Sequence, residues 1–226
     1  MDREIRNSLW KKYVERAEFN EIEKRNLEML GMDLQEDIRF LYQLIPLFKD
    51  KFVSKESQDT GVRFEYEENL YILRKGTIGI FLPKEKMKKT LIDMIDLFEE
   101  VLPLGTVVDL KKEHMRHQID LSMVESCRIV ITKRFVGVGK GIYYPYAGIL
   151  YPMGTAGKGR VISFTASMIE KVVYKGFQDQ LEKQFVGLMK QEIIINQGRK
   201  AAGFCTAEEL QAAREEMEAL AIDGRA

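Results

Sequence analysis

Two cysteines, two histidines, one tryptophan and five prolines are all that this 226-residue chain holds of those residue types, and each scarcity closes a class of function. Cys127 and Cys205 lie far apart and in no Cys-x-x-Cys pair, which excludes a disulfide scaffold, a zinc knuckle and dithiol redox chemistry. Both are expected to be small buried apolar residues. No apolar run approaches the roughly 18 to 20 residues of a membrane span. The opening Met1-Asp2-Arg3-Glu4-Ile5-Arg6 alternates charges where a signal peptide would be apolar, so a cytoplasmic location is expected. His114 and His117, three residues apart with Glu113 or Asp120 beside them, could share a metal on one helix face. They lack the further Cys or His that four-coordinate ligation needs, so no metal is expected. No Gly-x-Ser-x-Gly elbow positions a nucleophile.

Glycine-rich loops are the remaining chemical candidates. Gly137-Val138-Gly139-Lys140-Gly141 follows a strand, as phosphate-cradling loops do, but Ile142-Tyr143-Tyr144-Pro145-Tyr146 comes next. That run is β-prone and holds a proline, so it offers no helix N-terminus to an anion, and no Gly-Lys-Ser or Gly-Lys-Thr closes the loop. It reads as a hairpin loop, and Gly157-Lys158-Gly159-Arg160 reads the same way. With no catalytic set and no cofactor motif, the expectation is a protein that is not an enzyme and needs no cofactor.

What the chain does hold is core-forming material, 45% of its residues being hydrophobic, and a net charge of zero that is unevenly spread. Residues 1–100 carry 18 basic and 21 acidic side chains, residues 101–205 carry 15 and 8, and residues 206–226 carry 2 and 6. The basic middle could meet an acidic partner or be balanced internally by the acidic ends.

The first hundred residues read as helical with one sheet-forming interruption. Leu9, Tyr13 and Ala17 recur at helical spacing, and Phe19, Ile22, Leu27 and Leu30 continue it with a phase shift until Gly31, which is expected to stop it. Asp33, with Glu36 three residues on, is expected to cap a further amphipathic segment from Leu34 to Phe52, bent or ended at Pro46. From Val62 the period changes to two, predicting a hairpin or small meander over about 62–82. Lys84 to Glu100 returns to helical spacing. The Leu102-Pro103-Leu104-Gly105 turn marks a domain boundary near residue 100.

After that turn come short strands at 106–110, 128–135, 142–150, 161–164 and 171–175, with a helical turn at 166–170. The predicted fold class is α+β: a small antiparallel β-barrel or curled sheet, SH3-like in one version, over residues 101–177, with a helical N-terminal region and C-terminal helices over 178–226. Leu181, Phe185, Leu188 and Met189 mark the first C-terminal helix. Thr206 and Glu209 form a capping box for the last. Tyr143, Tyr144, Tyr146 and Tyr151 are the densest aromatic group. Tyr144 and Tyr146 are expected on one face of their strand and Tyr143 and Tyr151 on the other, one face core and one a possible contact surface. The candidate partner-binding residues are Tyr144, Tyr146, Tyr151, Lys133, Arg134, Lys158 and Arg160. A nucleic-acid surface made of these would pair phosphate contacts with base stacking, but the neutral overall charge argues against it. Amphipathic helices at both termini leave room for a homodimer.

Ordered blocks in this half resemble a known family: Leu102-Pro103-Leu104-Gly105-Thr106-Val107-Val108-Asp109-Leu110-Lys111, Arg128-Ile129-Val130-Ile131, Tyr144-Pro145-Tyr146-Ala147-Gly148-Ile149-Leu150-Tyr151-Pro152-Met153-Gly154, Ser163-Phe164, and Ile169-Glu170-Lys171-Val172-Val173-Tyr174-Lys175-Gly176-Phe177. Together they resemble the domain of unknown function family numbered 4176. The resemblance covers residues 102–177 and implies an accessory protein of Gram-positive type VII secretion, produced beside LXG toxins. The expected function is that of a chaperone or adaptor that binds such a toxin and keeps it ready for export. The rival expectations are an immunity protein that neutralises the toxin and a nucleic-acid-binding regulator.

Overall fold

The computed structural model describes residues 2–49, 54–114, 127–139, 141–155 and 161–223, and shows an α+β protein. The chain divides into two compact units. The first comprises Met1–Glu100 with Lys190–Asn196, and the second Val101–Met189 with Gln197–Ala226. Among the described residues no helix is long and apolar enough to cross a membrane.

Four helices and a meander build the first unit around one buried tryptophan. Helix α1 (Arg3–Arg16) buries Leu9, Trp10 and Val14, and α2 (Glu21–Leu34) buries Leu27, Leu30 and Leu34. Trp10 lies against Gly31, where any Cβ would fall 2.1 Å from the indole nitrogen. Gly31 therefore does not stop the helix, as its sequence position suggested; it sits inside α2 because only a missing side chain admits the ring. The expected cap at Asp33 is displaced for the same reason. Asn20 and Glu23 form the capping box of α2, Asp33 falls in its last turn, and Asp37 caps α3 (Ile38–Leu44) by accepting from the Phe40 amide at 3.0 Å. Pro46 ends α3 by opening a 3-10 turn, Ile45–Phe48. Strands β1 (Ser54–Glu56), β2 (Arg63–Glu67), β3 (Leu70–Lys75) and β4 (Ile78–Leu82) form an antiparallel sheet in chain order. Helix α4 (Lys84–Phe98) completes the unit and buries Met87, Leu91, Met94, Ile95 and Phe98.

The chain returns to this unit at Lys190, one of its few buried charges. The Lys190 ammonium donates to the carbonyls of Asp96 (2.7 Å), Leu97 (2.9 Å) and Glu99 (2.6 Å). It thereby satisfies acceptors that the C-terminus of α4 leaves without an intrahelical donor. Burial pushes its pKa down to about 8, against the pull of Glu99 and Asp96. A π-helical segment, Gln191–Asn196, follows, with Lys12 donating to Gln191 at 2.8 Å and Arg16 bonded to Asn196. Elsewhere in the unit Tyr13 donates to Asp93 at 2.7 Å, and burial raises the pKa of both.

The second unit is built on a six-stranded sheet in the order β10-β7-β6-β5-β9, with β8 also on β7. The strands are β5 (Val107–Leu110), β6 (Cys127–Gly137), β7 (Ile142–Leu150), β8 (Ile162–Phe164), β9 (Ile169–Tyr174) and β10 (Lys200–Ala201). Strand β7 is central. Its one edge pairs with β6, and the other is shared by β10 at Ile142–Tyr143 and β8 at Tyr146–Gly148. The sheet is not closed: among the described residues β9 pairs only with β5, so of the two expected forms the open, curled sheet holds and the barrel does not. Register shifts in the β6–β7 and β5–β9 pairs mark the bulges that bend it. Helices α5 (Gln180–Lys190) and α6 (Ala207–Asp223) complete the chain. The capping box of α6 is formed as expected, Glu209 accepting from the Thr206 amide at 2.8 Å and Thr206 from the Glu209 amide at 3.2 Å.

Candidate protein-docking surface

Of the tyrosines and basic residues singled out in the sequence, those that are described do not form one surface. Tyr144 and Tyr146 are buried. Tyr144 packs with Val138, Ile142, Ala202 and Ala213, and its hydroxyl accepts from Arg214 at 3.0 Å. Tyr146 stacks on Phe164 at 5.5 Å between centroids, and its hydroxyl accepts from the Leu102 amide at 3.1 Å. Their expected contact role therefore gives way to core packing, because β7 has neighbours on both edges and is buried from Ile142 to Gly148. Arg134 is consumed internally in a two-pronged ion pair with Glu182. Lys133 and Tyr151 are exposed. Lys158 and Arg160 lie outside the described residues, as do Lys140 and the metal candidates His117 and Asp120. Among the described residues no group of three or more metal-ligating side chains gathers.

A different stretch of the second unit faces solvent with apolar side chains. Strand β9 is a sheet edge along which Val172, Val173 and Tyr174 are exposed. Its pairing with β5 steps from Val107↔Tyr174 to Val108↔Val172, and from Asp109↔Lys171 to Leu110↔Ile169, leaving Val173 and Glu170 as bulged residues. Bulges of this kind twist an edge away from further strand pairing.

Past β9 the chain is steered out of the sheet by Gly176. A Cβ there would lie 2.2 Å from the Leu104 carbonyl, and the Gly176 amide donates to the Thr106 hydroxyl at 3.0 Å. Thr106 donates in turn to the Pro103 carbonyl at 2.7 Å. The crossing delivers Phe177 to solvent, 81% exposed. Asp179 then caps α5 by accepting from the Glu182 amide at 2.9 Å.

On α5 the apolar periodicity is real but points outward. Leu181 (73% exposed), Phe185 (48%) and Leu188 (65%) are spaced as i, i+4 and i+7 and so form one stripe. The opposite face buries Val186 and Lys190. Glu182, held by Arg134, fixes the rotation of the helix, and the same guanidinium lies 5.9 Å from the Phe185 ring centroid. The sequence located this helix correctly and could have located the surface too: a stripe of three large apolar residues continues the apolar run Val172-Val173-Tyr174 and Phe177, more than one small sheet can cover.

The first unit has a smaller apolar exposure of its own. An open groove of about 370 Å³ between α2 and the β3–β4 hairpin is bordered by Ile22, Asn26, Arg74 and Phe81, with Ile22 and Phe81 largely exposed.

Fold and surface together define an α+β protein whose second unit exposes, among the described residues, large apolar side chains along β9, at Phe177 and on α5. Residues 101–185 match the family model described as Domain of unknown function (DUF4176). The resemblance carried by the residue blocks at 102–177 is thus a family match that takes in the whole sheet from β5 to β9 and reaches into α5. No curated protein and no solved structure matches the chain.

Proposed function

We propose that this protein is a non-enzymatic binding protein, a chaperone or adaptor that holds an LXG-type toxin polypeptide for type VII secretion. The supporting observation is the ridge of Val172, Val173, Tyr174, Phe177, Leu181, Phe185 and Leu188, large apolar side chains left in solvent within seventeen consecutive residues. Contiguous apolar exposure above a few hundred Å² is uncommon on soluble monomers and marks surfaces that meet other polypeptides. The link to a secreted toxin comes from the family resemblance, and the cytoplasm is where such a holder would act. Arg134, beside Phe185, is neutralised by Glu182, which favours recognition on α5 through apolar burial.

The experiment is co-expression of the LXG-type toxin encoded beside this gene with the full chain. The expected outcome is co-purification of the two and a several-fold higher yield of soluble toxin than in the absence of the chain. A toxin whose yield and solubility are the same with and without it would sink the proposal. A toxin that is bound but enzymatically silenced would replace the holding role by an immunity role.

A further inference from the structure

Strand β4 is an outer strand of the first unit's sheet: among the described residues it pairs with β3 and with no other strand. The turn that joins the two decides which backbone groups of β4 are left over. Lys75 and Ile78 close a two-residue hairpin whose first central residue, Gly76, has a φ of 57°. In such a hairpin the closing pair exchanges both of its hydrogen bonds, and the pairs beyond it alternate. Ile78, Ile80 and Leu82 therefore bond to β3, whereas Gly79 and Phe81, opposite Arg74 and Ile72, turn their amides and carbonyls away from it.

One of those outward groups shows the alternation directly. The Gly79 carbonyl accepts from the Asn26 side-chain amide at 2.8 Å, so a side chain of α2 takes the place that the N–H of a neighbouring strand would fill. The Gly79 amide and the amide and carbonyl of Phe81 have no partner among the described residues. Both residues border the groove of about 370 Å³ between α2 and the hairpin. Donors and an acceptor at two-residue spacing match an extended backbone, whereas a helix has already spent its own backbone groups. Nothing in β4 blunts this edge either. Ile78-Gly79-Ile80-Phe81-Leu82 holds no charge and no proline, and its pairing with β3 has no register shift, unlike that of β9.

Charge narrows the occupant further. Glu23 and Arg74 are the ionisable residues lining the groove, and both are committed. Arg74 is held by Glu65 at 2.8 Å, and Glu23 accepts from the Asn20 amide at 2.9 Å in the capping box of α2. A charged guest side chain would lose water there without gaining an unpaired counter-ion from the lining residues. Exposed Ile22 and Phe81 favour apolar ones.

We infer that the β4 edge takes an extended, uncharged segment of another polypeptide, which joins the four-stranded sheet as a fifth strand through the Gly79 amide and both backbone groups of Phe81. The site lies in the first unit, goes beyond the toxin-holding role read from β9 to α5, and does not depend on it.

The test uses the full chain and capped five-residue peptides that alternate valine and threonine, with glutamate or lysine at the central position in two of them. Amide hydrogen exchange is read residue by residue. In the chain alone the Gly79 and Phe81 amides exchange much faster than those of Ile80 and Leu82. The uncharged peptide slows Gly79 and Phe81 several-fold, and the two charged peptides bind roughly tenfold more weakly. Phe81→Pro removes an outward amide and no bond to β3, and Ile22→Glu puts a charge on the exposed wall of α2. Each variant keeps the wild-type protection of Ile80 and loses the peptide. Gly79 and Phe81 amides as slow as Ile80 in the chain alone, no protection by any of the peptides, or binding that survives both substitutions overturns the inference. So does self-association of the chain that Phe81→Pro abolishes, which would seat a second copy on the edge. Each of these results leaves the toxin-holding proposal standing, because that is read from co-purification of the toxin.

Discussion

Helices α4 and α5 carry apolar residues at the same spacings and end in opposite situations. In α4 the stripe of Met87, Leu91, Met94, Ile95 and Phe98 is buried, and even Thr90, Asp93 and Asp96 are covered. In α5 Leu181, Phe185 and Leu188 are in solvent, while a lysine near the C-terminal end of the same helix is the fully buried side chain. A 3.6-residue period states that a helix has an apolar face. It does not state what covers that face, and the described residues supply the cover in one case and not in the other.

That contrast can be broken most forcefully in α4. Leu91→Ala removes a fully buried side chain, and the expected loss is about 2 to 5 kcal/mol of unfolding free energy, read by urea denaturation at constant m-value. Comparable stability of this variant and the wild type would mean that the α4 stripe is not core.

Lys190 sharpens the comparison from the other side. Lys190→Met keeps most of the volume but leaves three carbonyls of the α4 C-terminus without their donor, for an expected loss of about 2 kcal/mol at pH 7. The pH dependence follows from the depressed pKa. Between about 8 and the ordinary 10.5 the unfolded chain binds a proton that the native lysine lacks, so this residue makes native stability rise with pH across that window. Denaturation curves at pH 8 and pH 10 should therefore show a wild-type gain relative to Lys190→Met. A parallel response of the two chains would contradict the burial of this ammonium.

The smallest effect is expected on the exposed stripe. Leu188→Ala should change unfolding free energy by no more than about 0.5 kcal/mol, since truncating a solvent-facing side chain creates no cavity. A loss comparable to that of Leu91→Ala would show that the stripe packs against something within the chain.

Much of the fold was legible in the sequence. Alternation and turn residues located the meander in the first unit and five of the strands in the second, and local chemistry gave the Thr206–Glu209 capping box. What could not be read depends on distant contacts. Gly31 reads as a helix stop, because nothing nearby in sequence shows that Trp10 will fill the space of its side chain. Strands β1 and β10, three and two residues long, carry too little pattern to declare themselves, and yet β10 helps to cover the edge of β7 and so to bury Tyr144. The tyrosine cluster was conspicuous, but its composition could not distinguish a central strand from an edge. On α5 the periodicity was seen and its direction was not. The direction is set by the ion pair between Arg134 and Glu182, forty-eight residues apart.

Calorimetric titration of the LXG-type toxin into the full chain, and into a Tyr174→Ser/Phe177→Ser variant, bears on the central claim more directly than any other measurement. The wild type should bind with a negative heat-capacity change, the mark of apolar burial, and the variant should bind at least tenfold more weakly while unfolding at the same temperature. Equal affinity for the two chains would contradict the assignment of the ridge as the docking surface.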